Sequence, residues 1–498
     1  MFKKILIANR GEIAVRVIRA CRELGIISAA IYSDADKTSL HVRLADESYH
    51  IGSATASESY LNKQKIIDLA KKINADAIHP GYGFFSENAD FIKELETQDI
   101  TFIGPSSESV KLMGSKTAAR QLMKKNNVPI VPGTTEPISS VKEGLRISEE
   151  IGYPVLLKAA AGGGGKGMRK ISSSAEFESS FDATKREALK SFANDQIYIE
   201  KYIENPRHIE VQVFADKLGN YVHLFERECS IQRRHQKIIE EAPSSFVDEA
   251  TRERITSAAV NAARACNYFN AGTVEFLMDS EKKFYFLEMN TRLQVEHPVT
   301  EFITGLDLVK EQISVALGNK LSFSQSDLKI NGHSVECRIY AEDPSNSFLP
   351  TTGDLISYSQ PSGPGVRVDS GFGKDSKITV HYDPLISKLV CWSDNRESAI
   401  NRMLRALSEY VVGGIITNIS FLKIIINSPS FRSGNFDINF LNDDFMKNFR
   451  DLVDVNNLKE SKKAAAILAG LLKSKARNNN SHHQSSNHIN SWQGQNYE

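Results

Sequence analysis

The sequence predicts a chain that is α/β at its N-terminal end and α+β at its C-terminal end, with a region between them organised around one polar hairpin. Three observations predict it. Apolar runs at 4–8, 26–32 and 77–78 alternate with helical periodicity over about 12–24 and 63–73, as in a parallel sheet covered by helices. Residues 273–278 and 284–287 read as strands flanking a turn, and the second strand runs into a row of polar groups. From residue 334 onward, short β-rich pieces at 355–358, 366–368, 378–380 and 389–392 precede a helix over about 396–410.

In the first region Asn9-Arg10-Gly11 turns the first strand into a helix whose Ile13, Val17, Ala20 and Leu24 share a face. This turn lacks G-x-G-x-x-G, so no dinucleotide site is expected. His79-Pro80-Gly81-Tyr82-Gly83 follows the strand at 77–78; by itself it reads as a loop with turn glycines. Pro129 and Pro132-Gly133 mark a linker or hinge. The strand at 153–158 runs into Ala161-Gly162-Gly163-Gly164-Gly165-Lys166-Gly167, where four consecutive glycines cost backbone entropy. No Ser or Thr follows a Gly-Lys as a P-loop needs. The loop is a glycine flap whose N–H groups could cover phosphate oxygens, or a flexible surface hairpin. Strands at 196–203 and 209–215, the basic stretch Gln232 to Lys237, and a helix over about 248–266 lead to the hairpin. His208 and His235, taken singly, are ordinary structural histidines.

At the hairpin, every second residue from Glu288 is polar: Glu288, Asn290, Arg292, Gln294, Glu296. In an extended chain these would share one side. A turn about Glu281 and Lys282 would set Glu275 opposite Glu288; another loop length would shift that register. Facing carboxylates repel, and a hard divalent cation would relieve them, with Asn290 as a third oxygen ligand.

The 498 residues suit about three domains. Equal counts, 61 acids and 61 Lys plus Arg, leave no electrostatic footprint for nucleic acid or an anionic membrane. The five cysteines form no CxxC pair or zinc spacing, so reduced, buried thiols are expected. No run approaches the length of a membrane span, and the N-terminus is too short for a signal core. A soluble, cytoplasmic protein is the expectation. Residues 458–475 read as an alanine-rich helix. The Asn/Ser/His-rich 478–498 read as disordered, with His482, His483 and His488 solvated, or metal-binding.

Ile-Ala-Asn-Arg-Gly-Glu-Ile-Ala at 7–14, His-Pro-Gly-Tyr-Gly at 79–83, Lys-Ala-Ala-Ala-Gly-Gly-Gly-Gly-Lys-Gly-Met at 158–168 and Glu-Met-Asn-Thr-Arg-Leu-Gln-Val-Glu-His at 288–297 together resemble biotin carboxylase. The resemblance covers roughly residues 1–445. It implies a Rossmann-like N-terminal domain (1–114), an ATP-grasp domain (115–330) with a mobile lid near 130–203, a C-terminal biotin carboxylase domain (331–445) and a tail (446–498). It implies a ligase that makes carboxyphosphate from bicarbonate and ATP with Mg²⁺ or Mn²⁺, then carboxylates biotin borne by a carrier protein. Lys116 and Lys158 match phosphate-contacting lysines, Gly164 and Gly165 the flap, and Glu200, Lys201 and Ile203 the adenine hinge. His208, Gln232 and His235 match the nucleotide's other side. Glu275 and Glu288 match ligands of one metal ion, and Glu288 with Asn290 those of a second. Arg292, Lys237, Gln294 and the Val295 N–H match a bicarbonate cradle, and Glu296 its general base. Arg338 matches the group that stabilises the biotin enolate, with Tyr82 and Gly83 nearby. No Met-Lys-Met attachment motif is present. The implied partners are therefore a separate biotin carboxyl carrier protein, a second copy of the chain and a carboxyltransferase subunit. The expected setting is the first half-reaction of an acetyl-CoA or other acyl-CoA carboxylase. The alternatives are the ATP-dependent component of a two-subunit pyruvate carboxylase, or a non-catalytic nucleotide-binding partner protein.

Overall fold

The structure is a computed structural model and describes residues 1–160, 167–192 and 194–449. Gly164 and Gly165, the 458–475 stretch and the 478–498 stretch lie outside the described residues. Residues 1–441 form one compact unit and the chain from 442 a second. Within the second, 443–449 is helical, and Asn442 Oδ1 accepts the Phe445 N–H at 2.9 Å.

The first unit begins with a parallel sheet. Its strands are β1 (Lys4–Ile7), β2 (Ile27–Ser33), β3 (Glu47–Gly52), β4 (Ala77–His79) and β5 (Thr101–Phe102), in the order β3-β2-β1-β4-β5. Every pair is parallel. The central strands are almost wholly apolar because helices cover both faces. Helix α1 (Gly11–Glu23) starts at Gly11, whose φ of +66° lets the chain turn directly out of β1. Its apolar face joins a core with Phe214, Leu293, Leu308 and Ile313, so α1 is clamped between this sheet and the central one. Glu12, in its first turn, is thereby buried.

A three-stranded antiparallel sheet comes next: β6 (Val155–Ala159), β7 (Met168–Ile171) and β8 (Ile197–Lys201), ordered β7-β6-β8. Helices Val141–Ile151 and Phe177–Phe192 pack on it. Val155, Leu157, Ile171, Phe177, Phe181, Ile197 and Ile199 close a core that belongs to this lobe alone. Truncating Leu157 to alanine there would cost about 2–5 kcal/mol. The lobe is tied back by residues 129–133: Phe286 N–H donates to Pro129 O at 2.7 Å, and Gly133 lies flat on β8.

The rest is one continuous antiparallel sheet. It uses β9 (Arg207–Ala215), β10 (Tyr221–Arg233), β11 (Gln236–Ala242), β12 (Asn270–Met278), β13 (Phe284–Asn290), β14 (His333–Tyr340) and the strands Leu385–Ser393 and Val366–Ser370. The order is β13-β12-β9-β10-β11-β14, then Leu385–Ser393 and Val366–Ser370. The α+β region is thus hydrogen-bonded to the hairpin region through β11 and β14.

The hairpin pairs Glu275 with Glu288, but not by the route expected. Near the turn Met278 faces Phe284 and Phe276 faces Phe286, a register centred on Glu281 alone. A bulge beyond Phe276 takes up one extra residue and restores Glu275 to Glu288 and Thr273 to Asn290. The extended alternation stops at Asn290. Residues 291–296 are irregular and lead into the helix His297–Thr304. Arg292, Gln294 and Glu296 therefore do not reach one side by strand periodicity, as the sequence suggests; the loop delivers them. The strand expected at 378–380 is reduced to Lys377–Ile378.

Candidate active site

Strand order brings the polar residues together. β9 contributes His208 and Glu210, β11 contributes Lys237, β12 contributes Glu275, and β13 contributes Glu288 and Asn290. At the centre, the Lys237 ammonium donates to Glu210 at 2.5 Å, Glu275 at 2.7 Å and Glu296 at 2.8 Å. Burial would strip the Lys237 proton, but the three carboxylates outweigh it and hold its pKa well above the ordinary value. Glu275 responds in the opposite sense. Burial favours its neutral form, yet Lys237 and His208 hold it well below the usual carboxylate range. Its second oxygen lies 3.1 Å from His208 Nε2, while Gln294 Nε2 donates to the first at 2.7 Å.

Glu296 bridges Lys237 and Arg338, whose Nη2 donates at 2.9 Å. Against burial, Lys237, Arg338 and Arg227 keep Glu296 ionised far below its ordinary value. Arg227 is fully buried beneath the cluster and donates to Glu210 at 2.5 Å and to Gln294 Oε1 at 2.5 Å. Gln294 is therefore fixed at both ends of its amide. Arg292 stands at the rim: Nε donates to Glu87 at 2.8 Å, and Nη2 to Asn290 Oδ1 at 2.9 Å.

Lys158 donates to Glu200 at 2.8 Å, and Arg120 holds the other carboxylate oxygen. Burial would lower the Lys158 pKa, but Glu200 more than offsets it and the pKa is raised. Lys116 is held less firmly: burial and then Lys158 lower its pKa, against a pull from Glu288 and Glu200. The Lys201 ammonium is bound to the Gly152 and Tyr153 carbonyls at 3.0 Å each. The side chains of Glu200 and Lys201 are thus committed within the lobe, which leaves their main chain to meet a nucleotide. Gln232 Nε2 lies 3.0 Å from His208 Nδ1, and His235 sits in the β10–β11 turn with φ +66°.

These groups surround a cavity of about 540 Å³. Lys116, Lys158, Glu200, Lys201 and Ile203 line its lobe side. His208, Gln232, His235 and Lys237 line the sheet side, and Glu275, Glu288 and Asn290 the hairpin side. Gln294, Val295 and Glu296 close its end. A second cavity of about 510 Å³ is lined by Tyr82, Gly83 and Glu12. Arg292, Val295 and Arg338 line both. Every described residue of the implied site thus lies on one cavity or both.

The hairpin fits a divalent cation. Glu288 projects into the cavity, and desolvation followed by Glu275 pushes its carboxyl upward. A site that raises proton affinity by facing acids is one where a metal ion can replace the proton. His208, Glu210 and Glu275 also bring ligand atoms within 4.8 Å of one another. Lys237 already neutralises that corner, so Glu288 and Asn290 are the better-placed donors.

Four members of this constellation are absent from the sequence reading. Glu210 was within reach, because it follows His208 by two on a strand and so shares its face. Arg227 lies on β10, whose first half carries no apolar run to mark it as a strand. Glu87 belongs to the loop after β4, and its partner Arg292 is distant in the chain. Glu240 approaches only through the β11–β14 pairing.

Residues 1–110 match the family model "Biotin carboxylase, N-terminal domain", 115–324 match "Carbamoyl-phosphate synthase L chain, ATP binding domain", and 336–443 match "Biotin carboxylase C-terminal domain". Biotin carboxylase 1 of Bacillus subtilis is 52% identical over 442 residues, covering 89% of this chain and 98% of that protein. One of the two components of pyruvate carboxylase in Methanothermobacter thermautotrophicus is 54% identical over 443 residues, covering 89% and 90%. The biotin carboxylase domain dimer of the Hydrogenobacter thermophilus 2-oxoglutarate carboxylase, solved with MgADP, ADP and bicarbonate, superposes with a TM-score of 0.84. It is 49% identical and covers 89% of this chain and 97% of that one. The architecture is that of three-domain enzymes with a central ATP-grasp domain. The chain belongs to the biotin carboxylase family.

Proposed function

We propose that this chain uses Mg-ATP and bicarbonate to carboxylate biotin presented by a carrier protein. The observation that carries the reading is the shared wall. Arg292, Val295 and Arg338 line both the cavity that holds the lysines and acids and the cavity beside Tyr82 and Gly83. A carboxyl group made on one side can be received on the other without entering bulk water.

Lys116 and Lys158 take up phosphate oxygens; phosphoryl transfer needs positioning and charge neutralisation more than covalent help. Mg²⁺, held by Glu275, Glu288 and Asn290, supplies further neutralisation. Arg292 offers bicarbonate a planar fork, completed by Lys237, Gln294 and the Val295 N–H. Glu296 takes the bicarbonate proton. Its carboxylate is held too low to be a strong base in the empty site. An arriving anion draws Lys237, Arg292 and Arg338 to itself, loosens their hold on Glu296 and raises its basicity when it is needed. Arg338 then faces the biotin oxygen as the ureido nitrogen becomes nucleophilic.

The domain limits inferred are 1–114, 115–330 and 331–445. The carboxyl acceptor belongs to the carboxyltransferase partner: an acyl-CoA in the first reading. The second is pyruvate, favoured by the 54% identity to a pyruvate carboxylase component. A homodimer working with a carrier and a transferase is proposed, supported by the dimeric Hydrogenobacter domain. A cytoplasmic location is proposed from the five buried, unpaired cysteines. Phosphate release is the test, with bicarbonate and biotin omitted in turn. ATP cleavage that depends on bicarbonate and rises with biotin is expected; cleavage indifferent to bicarbonate rejects the reading.

A further inference from the structure

Behind Arg338 lies a pair of acids that the reaction above does not use. Glu240 Oε1 accepts from Arg338 Nε at 2.6 Å and lies 2.6 Å from Nη2. Its other oxygen, Oε2, is buried without a donor among the described residues. Directly across the β11–β14 pairing stands Glu336, two residues before Arg338 and therefore on its face of the strand. Glu336 is completely buried, and neither of its oxygens meets a donor among the described residues. The ammonium nearest in charge, Lys388, is engaged by Val295 O at 2.7 Å and Glu12 at 3.2 Å.

A buried carboxylate without donors is costly, whereas a carboxylic acid there has a proton to give. The acceptor that needs one, Glu240 Oε2, belongs to the residue opposite, at the short Cβ spacing of cross-strand partners. We propose that Glu336 is held as a neutral acid whose O–H donates to Glu240, and that this pair, carrying one negative charge, positions Arg338 for the biotin step. Burial, opposed by Lys388 and reinforced by Glu240, pushes Glu336 well above the carboxylate range. With Glu336 neutral, Arg338 has one anion behind it and Glu296 in front, and its guanidinium stays aimed at the shared wall. A second charge behind it would draw it away from that wall. Glu240 and Glu336 are positioning residues, and their assignment rests on the proposed role of Arg338.

Infrared difference spectra of wild type against Glu336→Gln test the protonation without any assay. The expected result is loss of one protonated-carboxyl band at neutral pH; identical spectra in that region overturn the proposal. Glu240→Gln and Glu336→Leu are each expected to lower biotin-dependent turnover about 10²-fold, as misplacement of a catalytic group does, with KM for ATP unchanged. Glu336→Gln, which keeps a neutral donor, should restore most of the loss seen with leucine. Equal loss in leucine and glutamine, or no loss with Glu240→Gln, rejects the positioning role. Should wild type itself show no bicarbonate-dependent ATP cleavage, the functional reading fails instead, while the infrared result still decides the proton.

Discussion

Two buried ion networks meet at the helix His297–Thr304, one through Glu301 within it and the other through Glu296 at its N-cap, and they are built differently. In the first, Arg16 donates to Glu301 at 2.8 Å and to Asp307 at 2.6 Å. Arg367 donates to Glu301 at 2.6 Å and clamps Asp369 at 2.9 and 2.7 Å. Each acid there has its own guanidinium. In the second, one ammonium, Lys237, serves Glu210, Glu275 and Glu296 together, while Glu288 faces the cavity. The first network is electrostatically closed. The second is crowded with carboxylates and opens on a cavity, so it can take up a metal ion and reorganise around an anion. Burial of charge does not by itself mark a working site; unbalanced charge beside accessible space does.

Replacing the central cation separates the two most sharply. Lys237→Met leaves three acids facing one another. Turnover is expected to fall by about 10³-fold or more, with a loss of about 3–5 kcal/mol in urea unfolding. Arg367→Met should cost a similar amount of stability, yet leave turnover per folded molecule within a few-fold of wild type. If both variants lose activity alike, the distinction collapses. A narrower cut is Glu296→Gln, which keeps shape and removes the base. A decrease in kcat of about 10²–10⁴-fold is expected, with KM for ATP little changed; a rise in that KM alone would instead place Glu296 in nucleotide binding. Next in size, Glu288→Gln removes a ligand charge. The magnesium concentration for half-maximal rate should rise about tenfold or more, since site affinity follows ligand charge; an unmoved magnesium titration would take the metal off this hairpin.

The mildest test is thermodynamic. Arg16 and Arg367, overcoming burial, lower the Glu301 carboxyl to about 2 from its ordinary 4.5. A depressed folded-state pKa stabilises at pH values above the unfolded value and is lost as pH falls through the folded one. About 3 kcal/mol should therefore drain away between pH 4.5 and pH 2. Glu301→Gln should flatten the stability curve in that window. An unchanged slope would mean that the closed network contributes little.

Local chemistry makes part of the site legible. Repulsion between Glu275 and Glu288 points to a cation, and the structure does set them face to face. It does so through a bulge that no count of loop residues anticipates. The alternation of Glu288, Asn290, Arg292, Gln294 and Glu296 names the right residues for a reason that fails after Asn290. From there, Arg227 and Glu87 fix Gln294 and Arg292 in place of strand geometry.

By itself, then, the sequence determined the elements and the chemical types at the site. Strand and helix periods are local, and a carboxylate carries its charge wherever it is placed. Only the tertiary structure decided which charges meet. The strand order β13-β12-β9-β10-β11-β14 sets Lys237 among acids from three other segments and brings Glu240 and Glu336 behind Arg338. Those energies depend on distance and burial between residues far apart in the chain, and neither quantity is written in any local run of amino acids.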